Sequence, residues 1–252
     1  MTTLTKNDSK ALREGDVAPP ALSPGSARIY GMRFCPFAER ALLYAGAKGI
    51  HAEIVNIHLR SKPAWYFEKH PKGQVPTFEK DGKTVIESMI IPEYLDGIYP
   101  ETAILPQDPY EKARQRIIAE QLGTLGLHDL LSALKGGASD EEKEQKLRKM
   151  EEVFDNAEKL MTGEYFGGSK PGYADWMTFP FFERHYIVFH AFPNSTIDVT
   201  AFPSFSRWPK LSAWWKNIYG HPVVKAVTLP VDVHLAYFKS YETGTPDFDL
   251  GL

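Results

Sequence analysis

The stretch Phe34-Cys35-Pro36-Phe37-Ala38-Glu39-Arg40 holds the only cysteine among 252 residues. It constrains the chain more than any other stretch does. Ala27 to Met32 reads as a short strand, and Pro36 suits the first position of a following helix, where a missing N–H costs nothing. Cys35 is therefore predicted at the N-cap, beside unused backbone N–H groups and the positive end of the helix dipole. A thiol with a pKa near 8.5 is about 3 % ionised at pH 7, and a helix N-terminus can lower that value to roughly 3.5–7.5. Arg33 and Arg40 would add positive potential. A lone cysteine in isolation is most often a small buried hydrophobe. Strand, cysteine, proline and amphipathic helix together read it as a nucleophile. Phe37 and Ala38 stand where a second thiol would complete a dithiol motif, so any disulfide chemistry needs a thiol from outside the chain.

The net charge of −3 and pI of about 6.3 supply no bulk basic field for nucleic acid or anionic lipid. A single cysteine excludes a disulfide framework and fits a reducing compartment. Residues 1–24 lack the apolar core of a signal peptide. No apolar run approaches the ~20 residues that span a bilayer. The expectation is a soluble, cytoplasmic protein with no stable membrane span. The eight histidines show no metal-ligand spacing, so no metal is expected.

Residues 1–25 read as a partly ordered arm. The helix after Cys35 should stop at Gly49. His51 to Leu59 alternates as a strand, with Glu53, Val55, Ile57 and Leu59 on one face. A short helix opens at Pro63 and ends before Pro71. Strand–helix–strand order implies a parallel pair joined by a right-handed crossover. Asp81-Gly82 between Gln74-Val75-Pro76-Thr77-Phe78-Glu79 and Lys83-Thr84-Val85-Ile86 predicts a hairpin. The bond before Pro76 is open to either isomer. Ser88 is the predicted N-cap of the next helix. The result is a βαβαββα unit over 26–101, a linker over 102–109 and an all-helical segment over 110–252. In that segment Tyr110 to Leu134 fits a long helix weakened at Gly123 and Gly126, and Ser139-x-x-Glu142 is a capping box. An aromatic helix from Ala174 should kink at Pro180. Trp208, Trp214 and Trp215 are most simply core.

Arg33-Phe34-Cys35-Pro36-Phe37-Ala38-Glu39-Arg40, Leu59 with Lys62-Pro63, Gln74-Val75-Pro76 and Glu87-Ser88 together resemble the omega class of cytosolic glutathione transferases, over residues 20–252. The resemblance implies a fold of α/β plus all-α type, a thioredoxin-like N-terminal domain followed by an all-helical C-terminal one, assembled as a homodimer. It implies that Cys35 forms a mixed disulfide with glutathione, in a thioltransferase or dehydroascorbate reductase. It places Val75 on the cysteinyl backbone, Glu87 on the γ-glutamyl ammonium, Ser88 on its carboxylate and Lys62 on the glycyl carboxylate. Leu59 and Phe34 would line the groove. Arg184 and His234 would line the cavity for the second, electrophilic or oxidised substrate.

Two positions depart from the family pattern. Gly172 replaces the usual cap serine, leaving Asp175 to reach back to the Gly172 N–H, at a cost of a few tenths of a kcal/mol. His234 stands approximately where a stacking tryptophan is usual. The residues leave the second substrate open among dehydroascorbate, protein mixed disulfides, arsenicals and pteridines. Two other readings compete. One is a membrane-associating relative of the chloride intracellular channel type, which shares the Cys-Pro-Phe start. The other is a non-catalytic ligand carrier.

Overall fold

The computed structural model describes residues 7–123, 139–191, 206–240 and 244–252. The first strand, β1 (Ala27–Gly31), is buried at all five positions, as a central strand covered on both faces must be. β2 (Glu53–Asn56) pairs with it in parallel, Ile29 opposite Ile54. β3 (Thr77–Lys80) pairs antiparallel on the other side, Ile29 opposite Phe78, and β4 (Lys83–Ile86) closes the sheet in the order β2-β1-β3-β4. Asp81 at φ 48° and Gly82 at φ 73° join β3 to β4. Positive φ at both central residues is what a type I′ hairpin turn requires.

Helix α1 (Pro36–Ala47) makes the crossover between the parallel strands. It ends as expected: Gly49 takes φ 69°, Ile50 N–H reaches the Ala45 carbonyl at 2.9 Å and Gly49 N–H the Gly46 carbonyl at 3.1 Å, the paired bonds of a Schellman motif. α2 (Tyr66–Lys69) is one short turn, and α3 (Ile90–Ile98) packs beside α1. Buried Lys48, at the end of α1, donates to Asp96 of α3 at 2.8 Å and to the Tyr99 carbonyl at 3.0 Å, while Tyr44 donates to the same carboxylate at 2.7 Å. This group ties the two helices at one end.

Two local expectations are corrected. β2 covers only four of the residues expected from the alternation, although Ile57 N–H still donates to Gly31 O of β1 at 2.9 Å, and the arm pairs along its outer edge. Leu12 N–H donates to Asn56 O and His58 N–H to Leu12 O, each at 2.8 Å. Ser88 caps no helix: α3 begins two residues later, and the Ile90 and Ile91 N–H groups go to the Glu87 carbonyl, each at 3.0 Å.

The chain forms two compact units. One runs to Ile104 and includes Pro222–Thr228 and Phe248–Leu252; the other comprises Leu105–His221 and Leu229–Asp247. Two C-terminal pieces thus join the first unit, where a division by sequence order alone has none. α8 (Pro222–Val227) packs on α1, and the Phe248 ring meets His58 edge-on at 4.5 Å.

The described elements of the second unit are all helices: α4 (Pro109–Leu122), α5 (Asp140–Leu160), α6 (Tyr173–Ala191), α7 (Pro209–Tyr219) and α9 (Val231–Ser240), with an isolated Tyr165–Gly168 bridge in the loop between α5 and α6. Asp108 caps α4, and Ser139 with Glu142 forms the full capping box of α5. The helix expected to run on through Leu125, Leu130 and Leu134 lies outside the described residues beyond Gly123. α6 continues through Pro180. Its N-terminus is organised by buried Asp175, which accepts from the N–H groups of Phe166, Gly167 and Gly172 and from Trp214 Nε1, at 2.7–3.0 Å. Gly172 is more than a missing serine here. A Cβ at that position would come within 2.8 Å of the Gly167 backbone and 3.0 Å of Gln115 Oε1. Gln115 instead accepts from Ala174 N–H at 2.9 Å, serving one of the donors a helix start leaves over. The three expected core tryptophans are all buried.

Candidate functional site

Cys35 adopts φ −85° and ψ 116°, the extended backbone of an N-cap, with Pro36 at the first helical position. Its N–H donates to Met32 O at 2.9 Å and its carbonyl accepts from Glu39 N–H at 3.0 Å, so the turn holds the sulfur at the mouth of α1. The residue is half-buried and opens on a cavity of about 340 Å³. Leu59, Lys62, Val75, Glu87 and Ser88 line the same cavity. Six of the seven residues expected at a glutathione site therefore meet in one place.

Phe34 does not. It is buried beneath Arg33, whose guanidinium stands 5.6 Å from the ring centre. Phe34 lies in the turn between β1 and α1, where its N–H donates to Met32 Sδ at 3.1 Å. Arg33 itself donates to the Asn7 and Leu250 carbonyls, at 3.0 and 2.6 Å, so its donors serve the arm and the C-terminal segment. Arg40 donates to Ser88 Oγ at 3.1 Å. This explains both the buried serine and its missing cap role, since the hydroxyl is turned toward α1.

The loop carrying Val75 is held from below. Buried Tyr66 donates to Gln74 O at 2.7 Å and lies 3.1 Å from Thr77 Oγ1, and burial pushes its phenol above the ordinary range. The Val75–Pro76 bond is cis. Val75 precedes the first paired residue of β3, and its backbone N–H and carbonyl make no hydrogen bond among the described residues. Such a segment can exchange main-chain bonds with an extended peptide. Gly73 sits at φ 59°, and a Cβ there would meet Lys62 Cδ and the Phe67 ring, each at 2.8 Å. The lysine stem thus crosses the one residue that leaves room for it. Glu87 holds φ 75°, a conformation costly for any residue with a Cβ and concentrated at ligand sites.

Sequence reasoning missed Phe37, His70, Gly73, Gln74 and Pro76, which also line the cavity. Gly73 had a legible signal, a glycine just before the Val-Pro pair. Among the described residues no group of three or more His, Cys, Asp or Glu side chains is placed to hold a metal.

Arg184 and His234 belong to the second unit, each only 1 % exposed. Arg184 pairs with Glu183, and His234 Nε2 lies 3.9 Å from the same carboxylate. They form a buried polar cluster, and neither lines the Cys35 cavity. Around Cys35, by contrast, a cation, a carboxylate, a hydroxyl and unpaired main chain surround one sulfur. That donor set suits a short peptide with charged ends and a thiol.

Residues 25–97 match the family model "Glutathione S-transferase, N-terminal domain" and residues 110–222 match "Glutathione S-transferase, C-terminal domain". The chain is 43 % identical to "Probable glutathione transferase omega-2" of Caenorhabditis briggsae, over all of both chains. It is 44 % identical to "Glutathione transferase omega-1" of Caenorhabditis elegans, over 99 % of each. In fold it is similar to the crystal structure of glutathione transferase Omega 3C from Trametes versicolor, with TM-score 0.72 and 20 % identity, covering 88 % of this chain and 94 % of that one. A sulfur set at a helix start beside a peptide-sized cavity thus sits in a chain that belongs to the glutathione S-transferase family, in its omega class.

Proposed function

We propose that this glutathione transferase acts as a thioltransferase and oxidoreductase through a Cys35–glutathione mixed disulfide. The observation that carries the reading is the Cys35 N-cap opening on the cavity lined by Lys62, Val75, Glu87 and Ser88. The Cys35 thiolate attacks the glutathione sulfur of a mixed disulfide substrate. The S–S bond breaks, the substrate leaves as its thiolate and Cys35–S–S–glutathione forms. A second glutathione thiolate then attacks the glutathione sulfur of that adduct, releasing oxidised glutathione and regenerating Cys35. Each turnover on a mixed disulfide consumes one free glutathione, the other half of the oxidised glutathione coming from the substrate, whereas reduction of dehydroascorbate draws its two electrons from two glutathione molecules.

The charged ends of glutathione match the charges of the site. Glu87 takes the γ-glutamyl ammonium, Ser88 its carboxylate, and Lys62 the glycyl carboxylate. Val75 offers its backbone to the cysteinyl unit as an added strand would. Arg184 and His234 belong in this reading to the recognition of the second substrate. A cytoplasmic homodimer completes it.

Cys35→Ala should abolish thioltransferase and dehydroascorbate reductase turnover together while the protein still binds glutathione. Alkylation of wild type by iodoacetamide should titrate well below the ordinary thiol value near 8.5. Turnover retained in the alanine variant, or a titration at 8.5 or above, would sink the reading. Vesicle co-sedimentation without turnover would favour the membrane-associating alternative.

A further inference from the structure

His70 ends α2 and lines the Cys35 cavity, yet the chemistry above gives it nothing to do. Its backbone is fixed on both sides: the His70 N–H donates to Tyr66 O at 3.0 Å, and its carbonyl accepts from Gly73 N–H at 2.7 Å. The ring is fixed as well. Nδ1 accepts from the Lys72 N–H at 3.2 Å, so the imidazole closes the kind of turn that Asn and Asp side chains make with the backbone two residues on.

A ring nitrogen that accepts carries no proton, so in the neutral ring the proton sits on Nε2. Burial favours that neutral ring, and the Lys72 ammonium adds to it against the Glu87 carboxylate. Nε2 finds no hydrogen-bond partner among the described residues. Nor is it one of the sealed, unpartnered polar atoms of the interior. A side chain only 2 % exposed therefore keeps one donor for the cavity. A buried donor of this kind is costly unless something fills its place. Glu87 lines the same cavity as His70, and its carboxylate acts on the ring. A γ-glutamyl group whose ammonium meets Glu87 carries its α-carboxylate beside it, and that carboxylate can take the imidazole N–H as well as the Ser88 hydroxyl.

We propose that His70 is a specificity residue of the glutathione site, its Nε2–H donating to the γ-glutamyl α-carboxylate. The proposal rests on the glutathione reading of the cavity. His70→Asn separates donor from turn, because the Asn carbonyl can still accept from Lys72 N–H while its amide nitrogen falls short of the Nε2 position. Titration calorimetry should show that His70→Asn weakens glutathione and γ-glutamylcysteine alike by about tenfold or more. Cysteinylglycine, which lacks the γ-glutamyl group, should bind both proteins equally. The melting temperature and the iodoacetamide titration of Cys35 should stay at wild-type values. Wild-type glutathione affinity in His70→Asn would overturn the proposal, and so would an equal loss with cysteinylglycine. A melting temperature lowered as far as in His70→Ala would reassign the ring to folding alone. Failure of wild type itself to bind glutathione would instead overturn the reading of the cavity beneath it.

Discussion

The Cys35 cavity and the Asp175 hub are both gatherings of polar groups, one in each unit, and they differ in what is left over. At Asp175 four N–H donors, Trp214 Nε1 among them, meet two carboxylate oxygens, and Gln115 completes the set by accepting from Ala174 N–H. Each of these contacts is spent on the protein itself. Around Cys35, Val75 keeps its main-chain groups unpaired and His70 keeps one donor, while Glu87 stays exposed in a backbone conformation that favours glycine. Unspent bonding capacity, not polarity or burial as such, separates a binding site from a structural brace.

Substitution should therefore move different quantities in the two places. The largest effect belongs to the brace. Asp175→Ala leaves four donors, three of them buried, without an acceptor, and denaturant unfolding should show a loss of about 3–5 kcal/mol. A loss below about 1 kcal/mol would erase the distinction.

Next comes the pH response of the second unit. His185 is buried against Phe154 and Phe182, neither ring nitrogen meeting hydrogen-bond geometry among the described residues, and burial lowers its pKa to about 4 against the pull of the Phe181 carbonyl. A histidine with a depressed native value supports the fold above 6.5 and withdraws that support as pH falls from 6.5 to 4, at roughly 1.4 kcal/mol per pH unit. Asp175 runs the other way. Burial raises it to about 6 against its four donors, so it returns stability as pH falls from 6 toward 3.8. His185→Phe, which suits the aromatic surroundings, should remove the first slope and leave the second. Stability followed by urea unfolding should then hold or rise between pH 6 and pH 4. An acid-side loss as steep as in wild type would mean that His185 is not the group responsible.

The smallest effect is the most telling, because it has opposite signs in two measurements. Glu87→Gly relieves a side chain held at φ 75° and should raise stability by about 0.5–1 kcal/mol. It should also weaken glutathione binding by tenfold or more, since an ammonium loses its carboxylate. A variant that loses stability and keeps affinity would turn Glu87 into a brace like Asp175.

How legible each feature was in the sequence follows from the distance over which it is decided. Cys35-Pro36, the stop at Gly49, Asp81-Gly82 and Ser139-x-x-Glu142 are decided within a few residues, and each formed as the residues implied. Ser88 looked like a cap because its neighbours permit one, but Arg40, 48 positions away, takes its hydroxyl. The outer edge of β2 is paired by Leu12, 44 positions before Asn56, and the space that excludes a side chain at Gly172 is set by Gly167 and Gln115. Phe34 shares the cysteine's motif yet is buried in the turn before it, away from the cavity lining. His70 carried one faint signal, an imidazole placed before Pro71 and Gly73 where a turn-forming amide would serve. Its role as a lining residue depends on the fold of the whole loop.

Arg33 stands two positions before the sulfur and grips the arm at Asn7 and the tail at Leu250. Ala11 and Arg13 meanwhile hold Asp249. Residues near both described ends, Asn7 and Leu250, are thus moored to the residue two positions before the one thiol. Clipping the last few residues, or hanging a bulky fusion there, would tug on the seat of the reactive atom itself, although more than 200 positions along the chain lie between them.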